Sequence, residues 1–423
     1  MNAAFRSYRR KMFVLLAVVY VMEMFFRSCL NVGRDALETS FGLGAAAWGL
    51  LGSTYFYAQT AMTLPAGIVV DSSDIKTVYR YSLAAVVLGA LLFSAAVNMT
   101  MLVLGRFLIG VGEVFLFTAW IKILSCWYPK QSQDRITGAV TCLAYGTGIM
   151  ALSPMSWALK LLPWRIVYAI PALLSLLVLL SLRKSMESTP ENAGFRAVSE
   201  VTVPDKRQGT SRQEVLHGMA ALLRQRRTWP PLVMMAGMMG ASATLSGVWG
   251  VSFLTEAYQI TAARASELLT GTLVGTAAAA MVGPEISRRL GSRRIPLVTC
   301  CLGQTVCWIV LLWAADRLSN TGLAILLLLS GFCNAPTVLG MLLVKEMNPG
   351  KYIGVSIALF SLGTVAGGAL FPTLVGLICQ RLGDGFTQYR AALSICILAL
   401  LVSTVCACAT ETHCQGCETS ADE

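Results

Sequence analysis

Tyr20-Val-Met-Glu-Met-Phe-Phe-Arg-Ser-Cys-Leu-Asn-Val-Gly-Arg-Asp35 closes the first apolar stretch of the chain and decides how the rest is read. The residues just before it, Met12 to Met22, are almost entirely apolar, as a membrane-spanning helix requires. Glu23, Arg27, Asn31 and Arg34 then follow at intervals of four, four and three, which stacks them on one face of a helix. A charge at bilayer depth costs about 2.5–3.5 kcal/mol, so such residues face a bundle interior or a watery cavity. One face of the first helix is therefore expected to line a polar pathway, inside a bundle that the remaining chain must supply.

The composition supplies it. Of 423 residues 56% are hydrophobic and only 13% charged, against about a quarter charged in soluble domains. This is the composition of a polytopic membrane protein. The first apolar run is long, carries charges and lacks a small-residue cleavage site, so no cleavable signal peptide is expected. Nine of the thirteen cysteines, among them Cys29, Cys300, Cys301, Cys307 and Cys333, lie in apolar runs, where the thiol acts as a small hydrophobe. His413-Cys414-Gln-Gly-Cys417 in the tail is an incomplete zinc set, so neither a metal nor a cofactor is expected.

Apolar runs place spans near 12–33, 46–70, 80–98, 100–125, 136–160 and 165–183, then near 229–254, 265–284, 295–315, 318–344, 352–379 and 389–410. That organises the chain as a six-helix half over 1–183, a linker over 184–228, a second half over 229–410 and a tail over 411–423. Basic residues gather in alternate connections, including Arg9, Arg10, Lys76, Lys130, Arg135, the linker, Arg288 and Arg294. This bias puts both termini in the cytoplasm and accounts for the net charge of +11 without nucleic acid as a partner. In the linker, Val215, Leu216, Met219, Leu222 and Leu223 keep helical spacing among arginines, as in a basic amphipathic helix on the inner leaflet or the helical end of a solvated linker.

The halves repeat at an offset of about 220 residues: Pro129 matches Pro349, Gly148 matches Gly368, and Trp164-Arg165 matches Tyr389-Arg390. Two parallel six-helix repeats are an architecture of secondary transporters.

With these residues in view, the chain resembles the major facilitator superfamily over essentially its whole length. Gly67-Ile-Val-Val-Asp71-Ser-Ser-Asp74-Ile-Lys76 is similar to that family's loop motif between helices 2 and 3, but has Ser72 for the middle arginine and Asp74 for the glycine. The second copy keeps Arg289, Gly291 and Arg293 and has Arg288 at the acid's position. Gly105-Arg106-Phe-Leu-Ile-Gly110-Val-Gly112-Glu113 resembles the helix-4 motif. The resemblance implies an all-α fold of twelve transmembrane helices in two pseudo-symmetric halves. It also implies a gating latch at Asp71, Lys76, Arg80, Arg106, Arg289 and Arg293. Phe26-Arg27-Ser-Cys-Leu-Asn31 is similar to helix 1 of organic-anion and organophosphate carriers; helix 7 lacks the second base that phosphate-ester exchangers carry.

Carboxylates are left to carry protons, because His217 and His413 lie in the linker and the tail. Glu113 shares a helical face with Gly110 and Arg106, so it is either a proton carrier or the arginine's structural partner. Arg27 has the forked donors that suit a carboxylate, and meets either a substrate or Glu23, one turn away. The expected substrate contacts are Arg27, Glu23, Asn31, Tyr57, Tyr145, Trp249, Gln304 and Asn334, with Glu113 and Glu23 as proton-coupling residues. The expectation is thus a non-enzymatic, proton-coupled importer of a small organic anion, monomeric and multi-pass in the cytoplasmic (inner) membrane. Its partners are the anion, the proton and the bilayer. An efflux carrier for amphiphilic compounds and a non-transporting sensor of the same fold are the alternatives.

Overall fold

The computed structural model describes residues 3–128, 154–195, 212–314, 318–347, 353–382 and 386–410, with positions 136, 140, 143, 146, 148 and 152. Every regular element among them is helical. In chain order these are α1 (Ala3–Ser28), α2 (Arg34–Phe41), α3 (Ala45–Ser72), α4 (Ile75–Ser94), α5 (Met99–Trp127), α6 (Trp164–Ser185) and α7 (Arg212–Leu223). They continue with α8 (Trp229–Ser242), a π-helical stretch (Ala243–Trp249), α9 (Gly250–Tyr258), α10 (Ala262–Arg289), α11 (Arg294–Trp313), α12 (Asn320–Phe332), α13 (Pro336–Met347), α14 (Ile353–Leu382) and α15 (Phe386–Ala409).

Among the described residues nine helices are long and apolar enough to cross a membrane, and α3 adds 28 residues of helix. The protein is therefore an all-α, multi-pass membrane protein. About half of span 136–160 lies outside the described residues. The expected tenth span is two helices, α12 and α13, interrupted at Cys333–Ala335. Pro336 explains the break: it disfavours the helical conformation at Ala335, and its ring sits acceptably at the first position of a new helix.

Short polar turns start the helices. Asp74 caps α4 by accepting from Thr77 N at 3.0 Å, and Asn98 caps α5 from Met101 N at 2.9 Å. Ser319 does the same for α12 from Gly322 N at 3.1 Å. Each cap satisfies a donor that the first helical turn leaves open.

The chain divides into two compact units, Met1–Leu43 with Thr54–Arg212, and Gly44–Ser53 with Gln213–Glu423. In the first unit α4 and α5 touch backbone to backbone: a methyl at Gly89 would sit 2.6 Å from the Gly105 carbonyl oxygen. In the second unit a methyl at Gly367 of α14 would overlap the Ala236 carbonyl oxygen of α8. Small residues at such crossings are how membrane helices approach closely when lipid is as apolar as the side chains. Arginines near helix starts stack on tryptophans in both units. Arg165 lies over the Trp164 ring at 4.4 Å in one unit, and Arg390 over the Trp313 ring at 4.7 Å in the other.

The linker is more ordered at its start than its prolines and glycines suggest. Met186 is fully buried, and Phe195 meets the rings of Phe5 and Tyr8 at 5.1 and 5.8 Å. Residues 196–211 lie outside the described set. The helix expected near Leu216 is α7.

Candidate functional site

The polar stripe that opened the chain is shorter than its spacing predicts. Helix α1 ends at Ser28, and Cys29–Val32 tighten into a 3-10 turn before Gly33. Glu23 and Arg27 therefore share an α-helical face, while Asn31 is turned into the interior and is fully buried. Arg34 opens α2, where its Nε pairs with Glu38 Oε1 at 2.6 Å. The physical reason is the tighter winding of a 3-10 turn, which rotates residues beyond it off the i, i+4 row.

Four ionisable groups of the first unit meet in its interior. Glu23 is 8%, Arg106 2% and Glu113 1% exposed, and Arg27 stands over the Phe56 ring at 5.4 Å. Arg106 Nη1 donates to the Phe26 carbonyl oxygen at 2.6 Å, and its guanidinium lies over the Tyr55 ring at 5.2 Å. That carbonyl belongs to the last turn of α1, so Arg106 ties α5 to the C-terminal, partially negative end of α1. Glu113, one helical face along from Arg106, is held by a residue that the spacing did not single out: Tyr55 Oη donates to Glu113 Oε2. Tyr55 in turn accepts from Gln59 Nε2 at 2.9 Å. Glu113 Oε1 and Arg106 Nε have no hydrogen-bond partner among the described residues.

Two carboxylates and two guanidiniums in one buried region can do two things. A guanidinium can hold an anion with its fork of donors. A carboxylate kept from water can exist in either protonation state, depending on what charge stands beside it. Tyr55 and Gln59 stand one turn apart on α3, but Ser53, Thr54, Tyr57, Thr60 and Thr63 flank them, so their spacing alone did not mark them.

The second unit offers uncharged groups. Asn334, at the break between α12 and α13, donates through Nδ2 to Ser242 Oγ at 2.6 Å, just before the π-helical stretch. Gln304 is buried and accepts from Ser330 Oγ at 3.3 Å. Trp249 is fully buried, its indole N–H donating to the Pro372 carbonyl oxygen at 3.0 Å. Its geometry is one of packing. Tyr57 is exposed on α3, and Tyr145 lies outside the described residues.

Of the latch residues, Asp71 ends α3, and its side chain is not among those described. Lys76 Nζ pairs with Glu187 Oε1 at 2.7 Å, and its backbone N–H donates to Ser188 Oγ at 3.1 Å. Ser188 Oγ donates to Asp74. Burial raises the Asp74 carboxyl, but hydrogen bonds from Ser188 and Thr77 and the nearby Lys76 charge outweigh it and leave it below the ordinary range. The substitution of acid for glycine in this loop thus serves as a helix cap and an anchor for the linker. Arg80 is half-buried on α4. In the second copy of the loop, Glu285 supplies the acid: Arg289 Nε pairs with it at 2.9 Å and Arg288 pairs with it as well. Gly291 turns there with φ +60°, and Arg293 Nη1 donates to Ser287 Oγ at 3.1 Å. Lys122 donates to the Val70 carbonyl oxygen at 2.6 Å rather than only reaching for the interface.

Comparison with known proteins adds four findings. The family model described as Major Facilitator Superfamily matches residues 16–253 and 232–412. The chain is 22% identical to an uncharacterized transporter, YybO, of Bacillus subtilis over 58% of its own length and 57% of that protein's. It is 21% identical to the D-galactonate transporter of Escherichia coli O6:H1 over 90% of its own length and 92% of that protein's. Among solved structures, a bacterial homolog of the human lysosomal transporter Spinster superposes with a TM-score of 0.78 at 15% identity, covering 95% of this chain and 97% of that one.

Proposed function

The chain belongs to the Major Facilitator Superfamily, and on that footing we propose that it carries a small organic anion across the membrane by alternating access, coupled to protons and directed inward. The observation that supports this reading is the gathering of buried Glu23, Arg106 and Glu113 with half-buried Arg27 in one unit. Arg27 holds the anionic group. Glu113, assisted by Glu23, takes a proton when the site faces one side and yields it on the other. Asn31 contributes an uncharged hydrogen bond in that unit, Asn334 and Gln304 offer theirs within the second unit, and the loops at Asp71–Arg80 and Glu285–Arg293 are the gating segments of their own units. The likeness to a protein named for D-galactonate supports a sugar acid as the anion class. The basic connections support a cytoplasmic-membrane protein with both termini inside. It acts as a monomer and performs no chemistry on its cargo.

The test is uptake of labelled D-galactonate and galactarate into proteoliposomes under an imposed pH gradient. The reading expects gradient-driven accumulation that is lost in Arg27→Ala and in Glu113→Gln. Uptake that survives both substitutions undiminished overturns it. The second reading, efflux of amphiphilic compounds, draws on the uncharged interior of the second unit. Proton-driven extrusion of a lipophilic cation with no sugar-acid uptake would favour it.

A further inference from the structure

We infer that Tyr55, oriented by Gln59, is the positioning residue that sets the pH window in which Glu113 exchanges its proton. The inference rests on the proton-coupling reading above and adds to it the group that controls the carboxyl.

Glu113 is 1% exposed, and among the described residues its carboxyl receives one hydrogen bond, from Tyr55 Oη to Oε2. A phenol has one proton to give. Gln59 Nε2 donates to Oη at 2.9 Å, which occupies the acceptor side of the phenol and leaves its proton for Glu113. Tyr55 is fully buried, whereas Gln59 is only half-buried, so the orienting amide sits nearer the surface than the groups it governs.

The geometry is fixed by the backbone. A methyl at Gly110 of α5 would overlap the Tyr55 carbonyl oxygen and sit 2.9 Å from Ala58 Cβ of α3. This crossing lies three residues from Glu113. It holds the register of α3 against α5, so any change in how α3 meets α5 moves the phenol relative to the carboxyl.

The charges that face Glu113 are Glu23 and Arg27 from α1, Arg106 from its own helix and the Cys29 thiol from the 3-10 turn. On α4, Tyr79 faces Glu23; on α6, Tyr168 faces Arg106 and Cys29. Arg106 Nε makes no hydrogen bond among the described residues. Tyr55 is thus the group that acts on Glu113 by direct hydrogen bonding. A donor to a carboxylate favours its charged form, so removing that donor lets the carboxyl hold its proton to higher pH.

The experiment is an infrared pH titration of the purified, lipid-reconstituted protein, which needs no substrate. Glu113→Gln identifies the protonated-carboxyl band by removing it. Tyr55→Phe, which keeps the ring and its packing under Arg106, is expected to move the midpoint of that band to the alkaline side by about one pH unit. Gln59→Met, which keeps the phenol but removes its orienting donor, is expected to move it the same way by less. Arg106 and Arg27 stay in place in both variants. A midpoint unchanged in both variants overturns the inference, as does a shift to the acid side. Should Tyr55→Phe fail to fold, Gln59→Met carries the test alone. Galactonate uptake is assayed beside it: no uptake with a shifted midpoint counts against the transport reading only, and intact proton-coupled uptake with an unshifted midpoint counts against Tyr55 only.

Discussion

The two units solve the same packing problem and fill their interiors differently. The first buries Glu23, Arg106 and Glu113 and aims Arg27 at Phe56. The second buries Asn334, Gln304, Thr244 and Thr272 and no described acid or base. Its helices are instead interrupted, by π-helix at Ala243–Trp249 and by the break at Cys333–Ala335. Interrupted membrane helices expose backbone polar groups that have to be satisfied by neighbours or by a cavity. The first unit is thus the one with buried charge, and the second offers uncharged hydrogen bonds.

The contrast can be broken at its strongest point first. Arg27→Ala removes the guanidinium assigned to the anion, and uptake of labelled galactonate should fall by about 100-fold or more, since losing a charged contact is worth about 3 kcal/mol. Wild-type uptake in that variant would leave charge recognition without its residue. Glu113→Gln should abolish accumulation against a gradient while leaving counterflow exchange within about threefold, because only coupling needs the titrating carboxyl. Equal loss of both would make Glu113 a structural partner of the Arg106 face.

In the second unit effects should be smaller and fall on affinity. Asn334→Ala deletes a hydrogen bond to Ser242, and KM should rise by about tenfold with the maximal rate kept within about twofold. A collapse of the maximal rate would mean the helix break moves during transport. The smallest effect belongs to the linker. Asp74→Asn keeps the shape but weakens the tie to Ser188 and Lys76, so amide exchange at Lys76 and Ser188 should accelerate while uptake changes by no more than about twofold. Because the folded carboxyl lies below its ordinary range, its contribution is complete above about pH 4 and is lost as pH falls through the lower folded value. The protection of those amides, with the intrinsic exchange rate at each pH divided out, should fall on acidification in the wild type, and that fall should be absent in Asp74→Asn.

Some of the site was legible and some was not, for identifiable reasons. Glu23, Arg27, Arg106 and Glu113 are visible because charges are rare in apolar runs and costly there. The end of α1 was missed because an apolar run reads the same through an α-helix and a 3-10 turn, and only Gly33 marks the stop. The break at Asn334 carries a signal in Pro336, but hydropathy alone runs straight through it. Tyr55 and Glu113 are 58 residues apart, and no local pattern brings them together. The role of Asp74 was hidden behind its departure from a loop motif, although an acid before Ile75-Lys76-Thr77 is a readable cap.

What the sequence determined by itself is the membrane class, the repeat and the set of residues that cannot face lipid. These follow from transfer free energies that add residue by residue along a helix. Only the tertiary structure decided which buried groups meet. Keeping its charges out of lipid leaves a span a range of rotations about its axis, and within that range the rotation is set by close crossings such as Gly110 on Tyr55 and Gly367 on Ala236. The charges at Glu23 and Arg27 demanded an interior. The packing of α3 against α5 decided that a tyrosine would be the one to hold Glu113.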